Sequence, residues 1–556
     1  MSSYDICVIG AGPAGITAAI GLAEQGLSVV LVESGLEGDD EVAQRLSDAE
    51  VVTPVTHSVM QDAVRRGLGG TSALWGGRCV PFDPVDFESR DFVAGVGWPL
   101  GYADLSPFLP RACEMLGVGD AAFDVETCHS LTTNGCALSA HFSDTATVRA
   151  TQLERWSHSP DIWRTHKAKV ESNTNITVRS GLTCVGFCQE QQDAAVLAAL
   201  LRPTLAMENE PEILHARVFV LACGGVESIR LVLNSIRDPS GLKLASPELV
   251  GSNYMGHPSG KIADIQLFGD PSATLYGFER DGGVYVRRRI TLQPDVLRKE
   301  RLLNIAFWLD NAPLPDWRHG SGVLSAAYLA LTTPGLRNLL APAAVRKHVA
   351  GEHGTQRMRH LLNVLRNPFR TGLFCLQFVW QRYFATPRLP GFFTYSSANR
   401  YALHFHAEQA PNQGSAITLS DETDAHGLLR ARIALKWSDQ DVDSIIRAHA
   451  VLDQAIESAG IGKLIYRYPP HELRDAILEQ SVDGFHQLGG LHMAADSSGG
   501  VTDHQGRLFG TPNVFIASSA VFPTSGQANP TLSLIAFAVR QAEHIAARFG
   551  TVTHNA

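Results

Sequence analysis

The 556-residue sequence predicts an α/β protein: a nucleotide-binding domain that is discontinuous along the chain, joined to an α+β domain with a mainly antiparallel sheet. Three observations carry that prediction. Residues 4–33 read strand, glycine turn, helix, strand. Further apolar strands follow far downstream, at Arg217–Ala222 and Asn513–Ala517. Tyr401–Glu408 alternates apolar and polar residues, as a strand with one solvated face does. At roughly 100–200 residues per domain the length suits two or three domains. The expected division is a nucleotide-binding part over 1–258 (with a loop insertion at about 85–170), a second domain over 259–480, and a return segment over 481–556. Hydrophobic residues at 45% and charged residues at 18% describe a globular chain. A net charge of −10 argues against nucleic acid as a partner. Nine cysteines without CxxC spacing fit a reducing compartment. No signal peptide precedes the first strand and no apolar stretch is long enough to cross a bilayer, so a cytoplasmic location is expected.

Tyr4–Ile9 is short and wholly apolar in its second half, as a buried parallel strand is. Gly10-Ala11-Gly12-Pro13-Ala14-Gly15 follows, then a helical run Ile16–Gln25 and a strand Leu27–Val32 ending at Glu33. This is a Rossmann-type fingerprint. Gly10 permits the tight turn, Gly12 lets backbone approach a pyrophosphate, and Gly15 allows close helix–strand packing. Pro13 and Ala14 open a helix whose first amides and positive dipole end suit a phosphate. Glu33, with Ser34 beside it, is placed to accept hydrogen bonds from an adenosine ribose. A carboxylate there repels a 2′-phosphate and disfavours NADP, while NAD and FAD both remain open on these residues.

Arg66–Arg78 is a second glycine cluster, too glycine-rich for a regular helix start and too long for a hairpin turn. Its Gly69, Gly70, Thr71, Ser72 and Gly76 bring bare backbone against a flat or phosphorylated ligand, with Leu74 and Trp75 set among them. In these blocks the sequence resembles the glucose–methanol–choline (GMC) oxidoreductases, particularly the branch of pyranose oxidase, cholesterol oxidase and flavin-dependent sugar dehydrogenases. Phe82-Asp83-Pro84 and Trp98–Pro107 look like the sugar-dehydrogenase region that follows this loop. The resemblance implies that the loop wraps the pyrophosphate, ribityl chain and isoalloxazine of FAD. Leu74 stands where pyranose oxidase carries the histidine that attaches its flavin, which implies non-covalent FAD. Asn175–Val178 and Thr183–Val185 predict a short hairpin, and Cys223-Gly224-Gly225 leads from the strand Arg217–Ala222 into a helix Val226–Asn234. In flavoproteins of this type that Gly-Gly turn passes the adenosine end, with backbone near Cys184 at the adenine. Cys223 reads as a packing residue rather than a reactive thiol.

The C-terminal block carries the chemistry. Gly484–Met493 precedes the strand Asn513–Ala517, then a turn-rich loop Ser518–Ala528, then Asn529-Pro530-Thr531-Leu532 opening a helix that runs to Phe549. Asn before Pro at a helix start is an ordinary cap. The GMC pattern is a His followed, further along the chain, by a His or Asn directly before Pro-Thr-Leu, and His486 and Asn529 match it. The resemblance therefore implies His486 as the base that takes the hydroxyl proton and Asn529 as the group that orients the alcohol, with Pro530 and Thr531 at the flavin. His492 is the competing histidine and is assigned to the substrate side.

The middle of the chain selects substrate. His404, His406 and Glu408 share one strand face, either a polar lining above the flavin or a solvated sheet face. Arg78 joins His404 and His406 as a substrate-side candidate. Leu336–Arg388 holds nine basic residues and one acid, Glu352, among Leu, Val and Phe. It predicts a helical insertion with a solvated basic face, or a docking surface for a membrane, an acidic electron-transfer partner or an anionic substrate. No metal-ligand cluster is expected. The implied function is FAD-dependent oxidation of an alcohol, a secondary ring hydroxyl of a sugar or glycoside, with oxygen, a quinone or a protein as acceptor. A steroid or aliphatic alcohol oxidase, or a GMC-fold lyase, shares the same motifs.

Overall fold

The computed structural model describes residues 4–95, 97–128, 131, 144–206, 210–271, 274–333, 335 and 356–550. Its first sheet begins with β1 (Tyr4–Ile9), α1 (Pro13–Glu24) and β2 (Val29–Glu33). The strand Ile176–Ser180 pairs in parallel with β2, β2 with β1, and β1 with β3 (Glu212–Leu221). β3 has two characters, both legible in EILHARVFVL. Its alternating half, Glu212–His215, pairs antiparallel with Ala198–Leu201 at the exposed edge. Its continuous apolar half pairs with β1 and with Val514–Ile516, buried on both faces. α2 (Gly225–Arg237) leaves this sheet directly after β3.

The expected hairpin at 175–185 is not formed. Ile176–Ser180 stays in the parallel sheet, whereas Leu182–Cys188 pairs antiparallel with Ala198–Pro203. Gly181 alone separates the two strands, its backbone at φ +72°, so the chain turns out of one pairing direction into another instead of folding back on itself.

The second sheet is antiparallel throughout, in the order Gly462–Tyr466, Ser259–Leu267, β5, β4, Ile290–Leu292 and Val148–Arg149, where β4 is Ile305–Asp310 and β5 is Arg400–Ala407. The helix Asp439–Ser458 covers one face with Val442, Ile445, Ala448 and Leu452, all buried in a core separate from that of the first sheet. The hairpin Ala416–Thr423/Leu429–Ala434 falls inside the 259–480 division, yet it pairs with Glu50–Val51. Its Ile417, Ala431 and Ile433 bury into the nucleotide-binding core. A small third sheet joins Arg78–Cys79, Leu153–Trp156, Val284–Arg288 and Glu279–Asp281, and so ties the second glycine loop to the second domain.

Beyond β4, α3 (Gly322–Thr332) packs with α4 (Arg357–Arg366) and α5 (Pro368–Tyr383), the described part of the basic segment. Arg337, Arg346, Lys347 and Glu352 lie outside the described residues. The last helix, α6 (Thr531–Phe549), lies against α1, where Gly21 leaves room for Ala542: a Cβ at Gly21 would sit 3.2 Å from the alanine methyl. No helix among the described residues is long and apolar enough to cross a membrane.

Candidate active site

A cavity of about 930 Å³ runs from Glu33 and Ser34 at one end to His486 and Asn529 at the other. Its first end is made of backbone. Gly10 turns the chain at φ +103°, with space for a Cβ closed by Ala222 O at 2.5 Å. Gly15 is closed still more tightly by Gly10 O, so it shapes the turn without lining the cavity. Gly12, Pro13 and Ala14 face the cavity, and a Cβ at Gly12 would meet no protein atom within 4 Å. That open space at a helix start, beside bare backbone, fits a pyrophosphate. Glu33 receives hydrogen bonds from the amides of Ala11 and Gly35, both at 2.8 Å, which lock its carboxylate at the end of β2.

The second glycine loop closes over this turn. Gly69 N donates to Ala11 O at 2.9 Å, and a Cβ at Gly70 would lie 3.0 Å from Gly12 Cα. Gly70, Thr71, Ser72, Leu74, Trp75 and Gly76 line the cavity, while Gly69 holds the loop from behind. Trp75 is fixed by its indole N–H, which donates to Pro160 O at 2.8 Å. Cys184, Cys223 and Gly224 line the nucleotide end together with Arg66 and Glu227, an ion pair that sequence reasoning passed over. Burial pushes the thiols of Cys184 and Cys223 well above the ordinary thiol range, so both are unreactive packing groups. Ser518 does not line the cavity. Its hydroxyl caps the short turn after Val514–Ile516 by accepting Ala520 N–H, and its neighbours Ala517 and Ser519 take the lining positions.

The reaction end is made of side chains from four distant segments. Asn529 donates from Nδ2 to His486 Nε2 at 2.6 Å, and its Oδ1 is buried with no partner. Whichever way that carboxamide is turned, one polar atom meets the imidazole and the other is left for a ligand. Asn529 therefore does not cap α6: the cap position is Pro530, without a side-chain bond, and Pro530 and Thr531 line the cavity. On the far side of the ring, His486 Nδ1 lies 3.2 Å from Asp483 Oδ2. Asp483 also accepts backbone N–H groups from His257 (2.7 Å), Phe485 (3.0 Å) and His486 (3.2 Å). Burial alone would raise its carboxyl, but the two histidines and the amides outweigh that and hold it well below the usual carboxylate range. An ionised Asp483 places the proton of neutral His486 on Nδ1 and leaves Nε2 with its lone pair toward the cavity.

Two more imidazoles back this one. His257 and His406 stack at 4.4 Å, and each meets His486 edge-on, at 4.9 and 5.2 Å. His406 Nδ1 donates to Gln527 O at 2.7 Å and His257 Nε2 to Ser525 O at 3.2 Å. Burial, with His486 adding to it, brings His257 down to about 3; burial and its two histidine neighbours put His406 well below its ordinary value. Both are neutral at physiological pH. A ring nitrogen from each of the three histidines lies within 4.8 Å of the others, a spacing that a metal ion would accept and that the sequence did not reveal.

The remaining substrate-side residues divide. Arg78 lines the cavity, pairs with Glu154 at 2.7 Å and lies 4.2 Å over the Trp308 ring. Burial brings its guanidinium down to about 10, against the pull of Glu154, so it stays charged. His404 stacks on Trp308 at 4.3 Å and bonds Ser259 Oγ at 3.0 Å, one layer behind the wall. His406 touches the site through His486. Glu408 is not a lining group, since Arg90 clamps both its oxygens. His492 is turned away, buried with Nε2 donating to Gly499 O at 3.1 Å.

Residues 411–538, which contain both His486 and Asn529, match the family described as GMC oxidoreductase, and residues 5–36 match FAD dependent oxidoreductase. Over that C-terminal segment the chain is similar to the GMC oxidoreductases. It is an FAD-dependent oxidoreductase acting on alcohols. Along 98% of its length it is 22% identical to paromamine 6'-oxidase of Streptomyces fradiae, covering 91% of that protein. Over 23% of its length it is 32% identical to C-glycoside 3-oxidase of Microbacterium trichothecenolyticum, covering 24% of it. The fold matches that of a fungal aryl-alcohol oxidase with a TM-score of 0.54 at 13% identity, covering 99% of this chain and all of the other.

Proposed function

We propose that this oxidoreductase oxidises a hydroxyl of a sugar or glycoside, taking a secondary ring alcohol to a ketone, with His486 as the base and Asn529 as the orienting group. The observation that carries the reading is the contact between Asn529 and His486 Nε2 at the end of the cavity opposite the nucleotide turn. Bound FAD supplies a hydride acceptor. The chain supplies the proton transfer that makes hydride departure feasible, because an alkoxide expels hydride far more readily than a neutral alcohol. An alcohol entering between the two side chains donates its proton to Nε2 and accepts a hydrogen bond from Nδ2. Ionised Asp483 stabilises the imidazolium that results. The free Oδ1 of Asn529 accepts from a second hydroxyl, which supports a polyol over a simple alcohol.

The glycoside preference rests on relatives named for a 6' position and a 3 position, so both kinds of hydroxyl belong in the test. Anaerobic mixing with aminoglycosides, C-glycosides, aldoses, a steroid alcohol and an aliphatic diol should bleach the flavin with a glycoside. Bleaching by the steroid or diol alone contradicts the preference, and product formation without bleaching establishes a lyase. Leu74 on the cavity wall supports a non-covalent flavin, which denaturation should release into the filtrate. The acceptor is oxygen, a quinone or a protein. A cytoplasmic location is part of the same reading, supported by eight described cysteines that are all free. The described part of the basic segment contributes no residue to the cavity, which favours a role at the surface.

A further inference from the structure

The consecutive helices α4 and α5 are amphipathic in the reverse sense. Their inward face is polar: His360 stacks on Tyr328 of α3 at 4.2 Å and bonds Ser325 Oγ at 3.0 Å, Asn363 donates to Trp317 O at 2.8 Å, and Thr371 is buried with them. Their outward face is apolar. Phe369 is 91% exposed, Leu376 73%, Trp380 64% and Phe384 68%, and Leu362, Leu365 and Leu373 extend the same surface. Phe369, Leu373, Leu376 and Trp380 recur at helical spacing, forming one stripe along α5. Isolated apolar side chains on a surface are ordinary, but a contiguous stripe of this size marks a contact.

The charges on these two helices choose among contacts. Between residues 357 and 388 there are six arginines and no acid, in a chain of net charge −10. Arg366 and Arg370 flank Phe369 at the tip, and they and Arg388 are exposed with no acidic partner among the described residues. A second copy of the chain docked face to face would set arginine against arginine. A layer of anionic headgroups over hydrocarbon meets both features at once, with aromatic and leucine side chains in the acyl boundary and guanidinium groups among the phosphates. The acidic remainder of the molecule would be repelled, which orients this face toward the lipid.

We infer that α4–α5 is an in-plane anchor that docks the enzyme on a bilayer containing anionic phospholipid. The anchor is rooted beside the cavity. Phe378 and Leu389 pack with Trp156, Tyr285 and Phe278. Arg287 lies over Trp156 at 5.4 Å and Phe278 at 5.3 Å and donates to Glu154, the partner of Arg78 on the cavity wall. Docking therefore brings the substrate end of the cavity within a few side chains of the membrane. The docking does not depend on which alcohol is oxidised, and its test does not read turnover.

The test is flotation of the full-length holoprotein with vesicles of phosphatidylcholine alone or with about 30 mol% phosphatidylglycerol, at low salt and at roughly 0.5 M salt. The protein should float with the anionic vesicles at low salt and be released by salt or by omission of phosphatidylglycerol. Arg366→Gln/Arg370→Gln should lower the bound fraction by roughly tenfold. Phe369→Ser/Leu376→Ser/Trp380→Ser should abolish binding while flavin absorbance and elution volume stay unchanged. Failure of the wild-type protein to float on anionic vesicles at low salt would overturn the inference. So would a light-scattering mass of two chains that falls to one in the triple variant, because the face would then be covered by a second copy.

Discussion

The two ends of the cavity are built from different materials. The nucleotide end is backbone: a turn at Gly10, an open helix start at Gly12 and a loop that hydrogen-bonds onto it through Gly69. The reaction end is side chains, His257, His406, Asp483, His486 and Asn529, drawn from segments far apart in the chain. Backbone cradles tolerate little change at a few glycines and are indifferent elsewhere. A side-chain constellation can lose one member and keep its shape, so the two ends should fail in different ways.

The largest separation comes from Gly12→Leu. The added side chain enters open cavity rather than protein, so the chain should fold with unchanged circular dichroism and purify colourless, without flavin or activity. A yellow Gly12→Leu protein would show that the pyrophosphate does not lie there. At the other end, Asp483→Asn should leave flavin content intact while slowing flavin reduction by about 10²-fold, since the tautomer of His486 is no longer fixed. Rapid-mixing absorbance reads both quantities in one experiment. Asn529→Ala keeps the base and loses the orienting group, and should cost about tenfold in kcat with a raised KM.

The smallest effect is on stability. His257 and His406 are held neutral by burial, whereas the unfolded chain protonates both below about pH 6.5. The unfolded state then binds more protons, so stability falls as pH drops below that value, and for His257 the loss continues until pH nears about 3. Asp483, whose folded carboxyl is depressed, adds its own loss only below about pH 4, where the unfolded carboxylate begins to protonate. Thermal melts between about pH 7 and pH 5 should show a decline that His257→Gln reduces. A flat profile in the wild type would mean that these imidazoles take up protons in the folded state.

The same contrast governs what could be read from the sequence. β1, α1 and β2 fall close to where the glycine spacing places them, because a backbone cradle is encoded within some thirty contiguous residues. His486 and Asn529 were legible through resemblance, not spacing. Asp483 and His257 were missed, although Asp483 stands only three residues before His486, because an acid in a loop carries no signal until its partners are placed. His492 shared a glycine-rich neighbourhood with His486, and only the fold separates a ring pointing into the cavity from one tied to Gly499. The hairpin Ala416–Ala434 looked like part of the second domain because local alternation reports a strand but not the sheet it joins.

The central claim is that the imidazole of residue 486 removes the hydroxyl proton. Its most direct test is the anaerobic rate of flavin reduction by a turned-over glycoside in His486→Ala, compared with wild type at equal flavin content. The account predicts a flavin-replete protein whose reduction is slower by roughly 10²–10⁴-fold, as loss of a general base requires. Reduction at the wild-type rate would contradict it.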